Sequence, residues 1–542
     1  MSPAATAWYE FEMPLSGPAD IIVFGGTIHS ADDALTSPQA FAIENGRFSY
    51  VGTTAGAMAY RGPATVAIDA TGYTVLPGIV DSHLHLTNLG LALEQADLAG
   101  VESAGELVAR AQAFAEHAPD EWILGRGWDQ NLWRDKTFPV ADELSAAIPD
   151  RPAALGRVDG HALLANARAM GLAGVDELTS DPPGGRIVRD ARGKPTGVFI
   201  DTAQTLIYDR VPKPEHERLK RAIRAAIAEC NRWGVTAVAE PGCDEAVLSA
   251  QADLLEHGEF TIRNHAMLDG DDALIEARAR LGPIEAAFGG RLSVRAIKLY
   301  ADGALGSRGA AMLAPYSDDP SNSGLILTPR DRIEAVTGRA LRTGFQVCVH
   351  AIGDRANRMV LDAYESALEG VSPGSDPRLR VEHAQVVARE DIPRFGALGI
   401  IAAMQAPHAL SDLRWAAARL GAQRIAGAYA LRSMLDAGAI VANGTDAPVE
   451  PANAARTFLA SISVPNREPP QCMTRREALQ SMTIWAARAN FQERFAGSIT
   501  AGKYADFTIM DRDWMIVGLE EILSTRVVAT YLAGSCVYGK MP

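Results

Sequence analysis

The chain has 542 residues, of which 47% are hydrophobic and 22% are charged, so it is long enough to bury one large core and a smaller second one. Its net charge of −15 argues against a broad basic surface of the kind that binds nucleic acid or anionic membranes. The five cysteines are scattered without any Cys-x-x-Cys pair, which argues against a zinc finger or a disulfide framework and is typical of a reducing compartment.

The start of the chain and the length of its apolar runs indicate the cellular compartment in which we expect the protein. Residues 1–20 lack the basic segment and apolar run of a secretory signal, and no apolar stretch reaches the length of a membrane span. We therefore expect a cytoplasmic protein with no nucleic-acid or membrane partner.

Both ends of the chain predict short β-strands. Residues 19–28, 40–51 and 64–69 are apolar runs, and the second is folded around an Asn-Gly turn, which is a strong hairpin signal. Residues 497–511 and 527–537 have the same character. We predict that residues 1–72 and 492–542 form one small composite β-sandwich domain, because chain termini often lie close together.

Strands and helices alternate between these ends, which is typical of a (β/α)₈ barrel spanning residues 73–491. The predicted strands cover residues 74–81, 235–240, 261–267, 292–301, 344–350, 379–383, 399–405 and 438–443. The predicted helices cover residues 104–117, 215–232, 271–287, 331–343, 356–368 and 475–490. A doubly wound open sheet is the alternative, but no Gly-rich dinucleotide fingerprint follows an early strand.

Residues 121–211 interrupt this alternation. The segment is too long for a loop between a strand and a helix, and it contains Trp122, Trp128 and Trp133. We predict an insertion subdomain that roofs the barrel mouth. The three tryptophans suggest a substrate with an aromatic part.

The end of the first predicted barrel strand carries a metal-binding pattern. Residues 78–85 read GIVDSHLH, and in a continuing strand Asp81, His83 and His85 would point to one side. Two imidazoles at this spacing can hold one metal ion between them.

Other strand ends supply further ligands. Lys298, His350, His383 and Asp446 close the predicted fourth, fifth, sixth and eighth strands. Each has an ordinary structural explanation by itself, but the active sites of such barrels lie at these carboxyl ends. Nitrogen and oxygen ligands of this kind suit zinc and related divalent ions. A buried lysine must be paired, extended to solvent or chemically altered, because an unpaired buried ammonium is costly.

Several motifs resemble the amidohydrolase superfamily, and within it the amidohydrolase family 3 branch of N-substituted formamide deformylase-like enzymes. They lie at residues 77–85, 181–185, 195–198, 298–308, 349–354, 382–385, 444–448 and 502–506. The resemblance implies a binuclear site in which His83, His85 and Asp446 bind one metal and His350 and His383 bind the other. It also implies that Lys298 bridges both ions, most simply zinc, as an N6-carboxylated lysine.

The activity implied by the resemblance is hydrolysis of a carbon–nitrogen bond other than a peptide bond. The substrate would be a small N-formyl, N-acyl, carbamate-like or other non-peptide amide. A metal-bridging hydroxide would attack the carbonyl, and Asp446 would shuttle its proton to the leaving amine. The resemblance also implies a homodimer.

Seven further residues lie on segments expected near the barrel mouth, and structural roles remain open for each of them. These substrate-pocket candidates are Trp128, Asp129, His161, Tyr300, Asp302, Arg308 and His408.

Two other functions remain possible. Mononuclear deaminases of the superfamily resemble one another in a His-x-x-Glu after the fifth strand, whereas here Gly353 stands at the glutamate position after His350. A non-catalytic scaffold relative would typically lose metal ligands, whereas this chain retains all six.

Overall fold

Eight parallel strands form the centre of the molecule in the computed structural model, which describes residues 17–35, 37–118, 121–372, 374–464 and 470–541. We number these barrel strands 1 to 8 in chain order: Ile79–Asp81, Val235–Cys243, Arg263–Leu268, Leu292–Tyr300, Gln346–Ala351, Arg380–His383, Ile401–Met404 and Val441–Asn443. Neighbours in the sheet are neighbours in the chain. Ser82 N donates to Asn443 O at 3.0 Å, which brings strands 1 and 8 together and nearly closes the barrel. The barrel prediction is confirmed.

Helices pack on the outer face of the barrel strands, so the strands are buried on both faces. Val347 and Val349 on strand 5 have no exposed surface and belong to the core shared with the helices. The larger helices around the barrel are Leu86–Leu93, His216–Arg232, Glu245–Glu256, Asp272–Leu281, Arg330–Thr343, Asp354–Leu368, Ile392–Leu398, Ala406–Ser411, Ala416–Arg424, Leu431–Asp436, Ala454–Ile462, Arg475–Ser481 and Ile484–Ala489.

Two predicted helices are shorter in the structure. The helix predicted over 271–287 ends at Leu281, because Gly282 and Pro283 follow, and Ile284–Ala286 then pairs antiparallel with strand 4. The helix predicted over 475–490 is two helices, separated at residues 482–483.

The first predicted barrel strand is divided at Gly78. Thr74–Pro77 pairs with Phe507–Met510 in a separate sheet, and only Ile79–Asp81 lies in the barrel. A Cβ atom at position 78 would lie 2.1 Å from the Thr236 hydroxyl, so only glycine permits this approach to strand 2. Strand 1 ends at Asp81, which is the predicted bound, so His83 and His85 follow the strand and the single side expected for a continuing strand does not apply to them.

Two small sheets are built from the ends of the chain. One contains Ile21–Phe24, Ala40–Glu44, Arg47–Gly52 and Val66–Asp69; the other contains Thr27–Ile28, Thr74–Pro77, Phe507–Met510, Val527–Leu532 and Ser535–Gly539. Phe507 from the second sheet packs edge-on against Phe41 from the first, with ring centroids 5.1 Å apart.

The predicted hairpin is present, since Asn45 and Gly46 both have positive φ, whereas residues 497–506 form no strand before Phe507. The division at residues 72 and 492 stays a prediction, and Thr74–Pro77 lies beyond the first boundary. Residues 1–16, on which the signal-sequence expectation largely falls, lie outside the described residues.

The insertion has a sheet and core of its own. Its six strands are Ala96–Asp97, Ile123–Trp128, Ala153–Arg157, Ala162–Ala165, Gly185–Arg189 and Pro195–Asp201. The helix Ala104–Ala115 contributes Leu107 and Ala111 to this core, so it is not a barrel helix as predicted. This sheet begins at Ala96 rather than at residue 121.

Among the described residues, no helix combines the length and the apolar character that crossing a bilayer requires.

Candidate active site

Six predicted ligands converge at the carboxyl ends of the barrel strands. His83 Nε2 and His85 Nε2 lie 3.5 Å and 3.3 Å from Asp446 Oδ1. His383 completes this group, because one ligand atom each from His83, His383 and Asp446 falls within 4.8 Å of the others. The carboxyl ends of strands 1, 6 and 8 therefore bring three side chains together that could hold a metal ion.

His350 and Lys298 lie beside this group. The rings of His350 and His383 are 4.5 Å apart, and those of His83 and His383 are 4.9 Å apart. The Lys298 side chain is completely buried on strand 4. Its charge acts on His83, His350 and His383, so its ammonium lies among the imidazoles.

The cluster contains buried polar atoms that no other group satisfies. Within the described chain, His83 Nε2, His350 Nε2, Lys298 Nζ and Asp446 Oδ1 are buried without a hydrogen-bond partner. Such atoms are rare in native proteins, because each loses its hydration without compensation. Three donate a nitrogen or oxygen lone pair to a divalent metal, and Lys298 can do so once it is neutral or carboxylated. The residues present therefore fit a metal centre.

Glu382 and Arg380 support His83. His83 Nδ1 hydrogen-bonds Glu382 Oε2, and Arg380 pairs with both Glu382 oxygens at 2.7 and 2.9 Å. Arg380 also donates to Ser82 O at 2.6 Å, which ties it to the turn that carries His83. With the Nδ1 proton held by Glu382, the lone pair of His83 is on Nε2, which faces Asp446.

The other histidines are oriented in the same way. His383 Nδ1 lies 2.6 Å from Gln405 Oε1, an acceptor, and Gln405 is itself held by donating to Ala403 O at 3.0 Å. His350 hydrogen-bonds the backbone of Gly303, which leaves its Nε2 as the unsatisfied nitrogen.

Asp446 is positioned by the residue before it. Thr445 donates its backbone N–H and its hydroxyl to Asp81, and the hydroxyl distance is 2.6 Å. Asp446 and His383 both have positive φ, at 59° and 74°. Non-glycine residues adopt this backbone only where the surrounding structure imposes it, and such residues cluster at functional sites.

Burial and neighbouring charges set the protonation states. Burial lowers the pKa of His83 to about 4 and holds the pKa of His350 and of His383 well below the ordinary value. Burial alone would raise the pKa of Asp446, but the adjacent His85 side chain and the charges of His83 and His383 outweigh it and hold that pKa well below its usual range. Neutral imidazoles and an ionised carboxylate are the forms that bind metal.

Burial also lowers the pKa of Lys298. Burial lowers the pKa of its amine to about 8, against a partial opposing effect from the Glu382 and Asp446 charges. A larger fraction of the amine is therefore neutral at physiological pH than in an exposed lysine.

Two of the predicted pocket residues border the cluster directly. The Tyr300 ring lies 5.7 Å from the His350 ring and 4.8 Å from Lys298 Nζ. His408 stacks on His383 with centroids 6.1 Å apart, and its Nε2 is 3.8 Å from Asp446 Oδ2.

His161 reaches the cluster from the insertion. Its ring is 5.4 Å from that of His350, and its Nδ1 is 2.8 Å from Asp201 Oδ1. The insertion therefore contributes to this site.

The remaining pocket candidates make structural contacts. Asp302 is fully buried and accepts from the backbone N–H groups of Ala311, Ile352 and Gly353, so it joins the loops after strands 4 and 5, and its Oδ1 also borders the cluster at 3.6 Å from His350 Nε2. Arg308 pairs with Asp318 at 3.0 Å. Asp129 pairs with Arg157.

Trp128 lies in the apolar core of the insertion and donates to Leu155 O at 2.7 Å. Trp122 and Trp133 are likewise buried in the insertion's own packing. The aromatic-substrate expectation therefore loses the observation on which it depended, because these rings pack the subdomain rather than line the site.

The sequence analysis missed Glu382, Arg380, Gln405 and Asp81 as supporting residues. A signal was present for the first two, because two charged residues within the buried run 379–383 require partners. Nothing local pairs Gln405 with His383 or Asp81 with Thr445.

Comparison with known proteins identifies the family of this chain. The amidohydrolase family model matches residues 66–538. The protein LONG AFTER FAR-RED 3 of Arabidopsis thaliana is 34% identical over 96% of this chain and 92% of its own length. The N-substituted formamide deformylase of Arthrobacter pascens is 27% identical over 96% of this chain and 98% of its own length.

A solved structure supports the same assignment. An uncharacterized metal-dependent hydrolase from Pyrococcus furiosus superposes with a TM-score of 0.74 and is 30% identical, covering 92% of this chain and 100% of its own. With a family model that matches most of the chain and a relative above 30% identity, the chain belongs to the amidohydrolase family, in its family 3 branch, and is a metal-dependent hydrolase.

Proposed function

We propose that this protein is a binuclear hydrolase of carbon–nitrogen bonds in small non-peptide amides, with N-formyl, N-acyl and carbamate-like compounds as the substrate class. The observation that carries the proposal is the convergence of six ligand-type side chains, four of which carry a buried atom without a hydrogen-bond partner among the described residues. The relative named N-substituted formamide deformylase supports an N-formyl bond as the first to test.

The residues divide between two ions, for which we propose zinc. His83, His85 and Asp446 would hold one, and His350 and His383 would hold the other. Lys298 would bridge them as a carbamate, formed when the neutral amine attacks CO₂ and releases a proton. The lowered pKa of Lys298 favours that reaction.

Bound divalent ions supply Lewis acidity toward the substrate carbonyl and lower the pKa of water from 15.7 to about 7. Asp446 Oδ2 lies next to this cluster, accepts the proton that the attacking water loses and passes it to the leaving nitrogen. Glu382 and Gln405 keep His83 and His383 in the tautomers that present Nε2.

A mononuclear deaminase is disfavoured by the loop after strand 5. A Cβ atom at Gly353 would lie 2.0 Å from Ala311 O, so no glutamate side chain fits at that position without moving the backbone. The lysine on strand 4 supports the binuclear alternative.

The test is metal content followed by a substrate panel. We expect about two divalent ions per chain by elemental analysis, as the two-metal arrangement requires, and release of amine from N-formyl, N-acyl or carbamate compounds. Asp446→Asn should keep its metal but lose turnover by about 10²- to 10⁴-fold, since it removes the proton acceptor. Unimpaired turnover in this variant would contradict the role of Asp446. A protein that takes up no metal after supply of zinc and bicarbonate would contradict the whole proposal.

A further inference from the structure

Arg126, a cation of the insertion, has no ion-pair partner among the described residues. Arg126 lies on the insertion strand Ile123–Trp128, opposite Gly156, and its side chain is half-buried. Its single described hydrogen bond is donated from Nη2 to Val158 O at 3.0 Å, and its Nε is buried without a partner within the described chain. A guanidinium stays charged in proteins, so this charge is partly desolvated without a counter-charge in contact.

Arg157, a neighbour of Arg126, has the ion pairs that are typical of a structural arginine. Arg157, on the next strand, is fully buried and pairs with Asp129 and with Asp159, the latter at 2.5 Å. Asp159 also accepts from His161 N at 3.0 Å, so both of its oxygens are in use. Both carboxylates therefore contact Arg157, whereas Asp159 acts on Arg126 only electrostatically and makes no ion-pair contact with it among the described residues.

The position of Arg126 connects it with the metal cluster. Its Nη1 lies 3.4 Å from where a Cβ of Gly160 would be, so the guanidinium rests against the loop that carries His161. The His161 ring is in turn 5.4 Å from that of His350. Burial lowers the pKa of Arg126, and the charges of Tyr208, Asp446 and Asp159 oppose this effect, so Arg126 lies within electrostatic range of the cluster.

We propose that Arg126 binds an anionic group of the substrate, so that the compounds hydrolysed here carry a carboxylate in addition to the scissile carbon–nitrogen bond. A planar guanidinium matches a carboxylate through two parallel hydrogen bonds. This inference rests on the proposed hydrolase function and adds the substrate class. Arg126 is a specificity residue, because it binds the substrate away from the reacting bond.

The first experiment measures binding without catalysis. The inert probe is phenylacetate, with 2-phenylethanol as its neutral counterpart, titrated calorimetrically into the metal-loaded full-length protein. We expect Arg126→Gln to weaken phenylacetate binding by about 10- to 100-fold, the range for a charge-assisted hydrogen-bonded pair, and to leave 2-phenylethanol unchanged. Arg126→Lys should be intermediate, because it retains the charge and loses the planar pair of donors.

The matched control is Arg186→Gln, which removes an exposed arginine from the same sheet and should not change binding of either probe. Metal content and thermal stability of every variant are measured first. If Arg126→Gln fails to fold, Arg126→Lys provides the comparison. Equal affinity for phenylacetate in the wild type and both Arg126 variants would overturn the proposal, since the metals alone would then bind the carboxylate.

The second experiment compares N-formyl amino acids with their primary amides as substrates. We expect the acids to have the higher kcat/KM, and Arg126→Gln to remove that preference mainly through KM. Release of amine with equal kcat/KM from acid and amide, unchanged in Arg126→Gln, would overturn the anion site and keep the hydrolase. Arg126-dependent binding of phenylacetate without any amine release would support the anion site and contradict the hydrolase.

Discussion

At the scale of single residues, buried charges organise this site. Glu382 and Arg380 are completely buried, and burial of either alone would cost several kcal/mol. Each is tolerated because the two pair with one another and because Glu382 also holds His83. The Arg380 charge and His83 hold the pKa of Glu382 well below its usual range despite burial, so Glu382 stays ionised.

Glu382→Gln should weaken metal binding by about 10- to 100-fold, the usual effect of removing the partner of a metal-binding histidine. The amide cannot fix the Nδ1 proton of His83 as a carboxylate does. Competition with a chelator measures the affinity. Glu390→Gln, which changes an exposed partner of Arg358, is the matched control and should leave the affinity unchanged. Identical affinities in all three proteins would contradict a supporting role for Glu382.

At the scale of elements, loops after different strands are joined at the barrel mouth. Asp412, which follows the helix after strand 7, accepts from Tyr429 Oη at 2.5 Å and from Gln385 Nε2 at 3.0 Å. Burial raises the pKa of Asp412 to about 7, with partial opposition from the His408 charge and the Tyr429 hydrogen bond.

This shift makes stability depend on pH in a defined direction. The folded protein keeps the Asp412 proton up to about pH 7, whereas the unfolded chain releases it near 3.8. The contribution of the protonated Asp412 carboxyl to the free energy of unfolding is therefore fully present below pH 3.8 and is lost as the pH rises through 7. Asp412→Asn removes this titration. The melting temperature of the variant should therefore rise relative to that of the wild type as the pH rises from about 4 to 8, the interval spanned by the two pKa values.

Calorimetry at several pH values checks this prediction. Asp150→Asn, an exposed position, is the control and should follow the wild type. A difference in melting temperature between Asp412→Asn and the wild type that stays constant over the whole pH range would show that Asp412 has the same pKa in the folded and unfolded states.

At the scale of the whole molecule, the metal site joins distant parts of the barrel. Its proposed ligands come from the ends of strands 1, 4, 5, 6 and 8, and the contact between His83 and Glu382 spans 299 positions. A ligand that binds only the folded state stabilises that state by mass action.

Removal of metal should therefore lower the melting temperature. A chelated sample is compared with the same sample after zinc and bicarbonate are returned, and we expect recovery of the original transition. Asp446→Asn, which keeps its metal in our proposal, should show the same dependence. Unchanged melting of the chelated protein, with its metal shown to be gone, would mean that the cluster adds nothing to stability.

Much of the fold and of the candidate site could be predicted from local patterns. Strand and helix periodicity and Asn-Gly turn chemistry depend on neighbouring residues, so the order of the eight strands and the residue at each strand end follow from the sequence. This is why His83, Lys298, His350 and Asp446 could be selected before any contact between them was known.

Tertiary contacts decided the rest. Strand 1 begins at Ile79 because Gly78 packs against Thr236, and the insertion tryptophans turn inward because that sheet has a core of its own. Which buried charge supports which ligand, and which arginine is left without a carboxylate, depend on residues far apart in the chain. The sequence by itself determined the candidate ligands and the strands that carry them. Only the folded chain, through packing between distant segments, decided which residues support those candidates and left Arg126 without an ion-pair contact among the described residues.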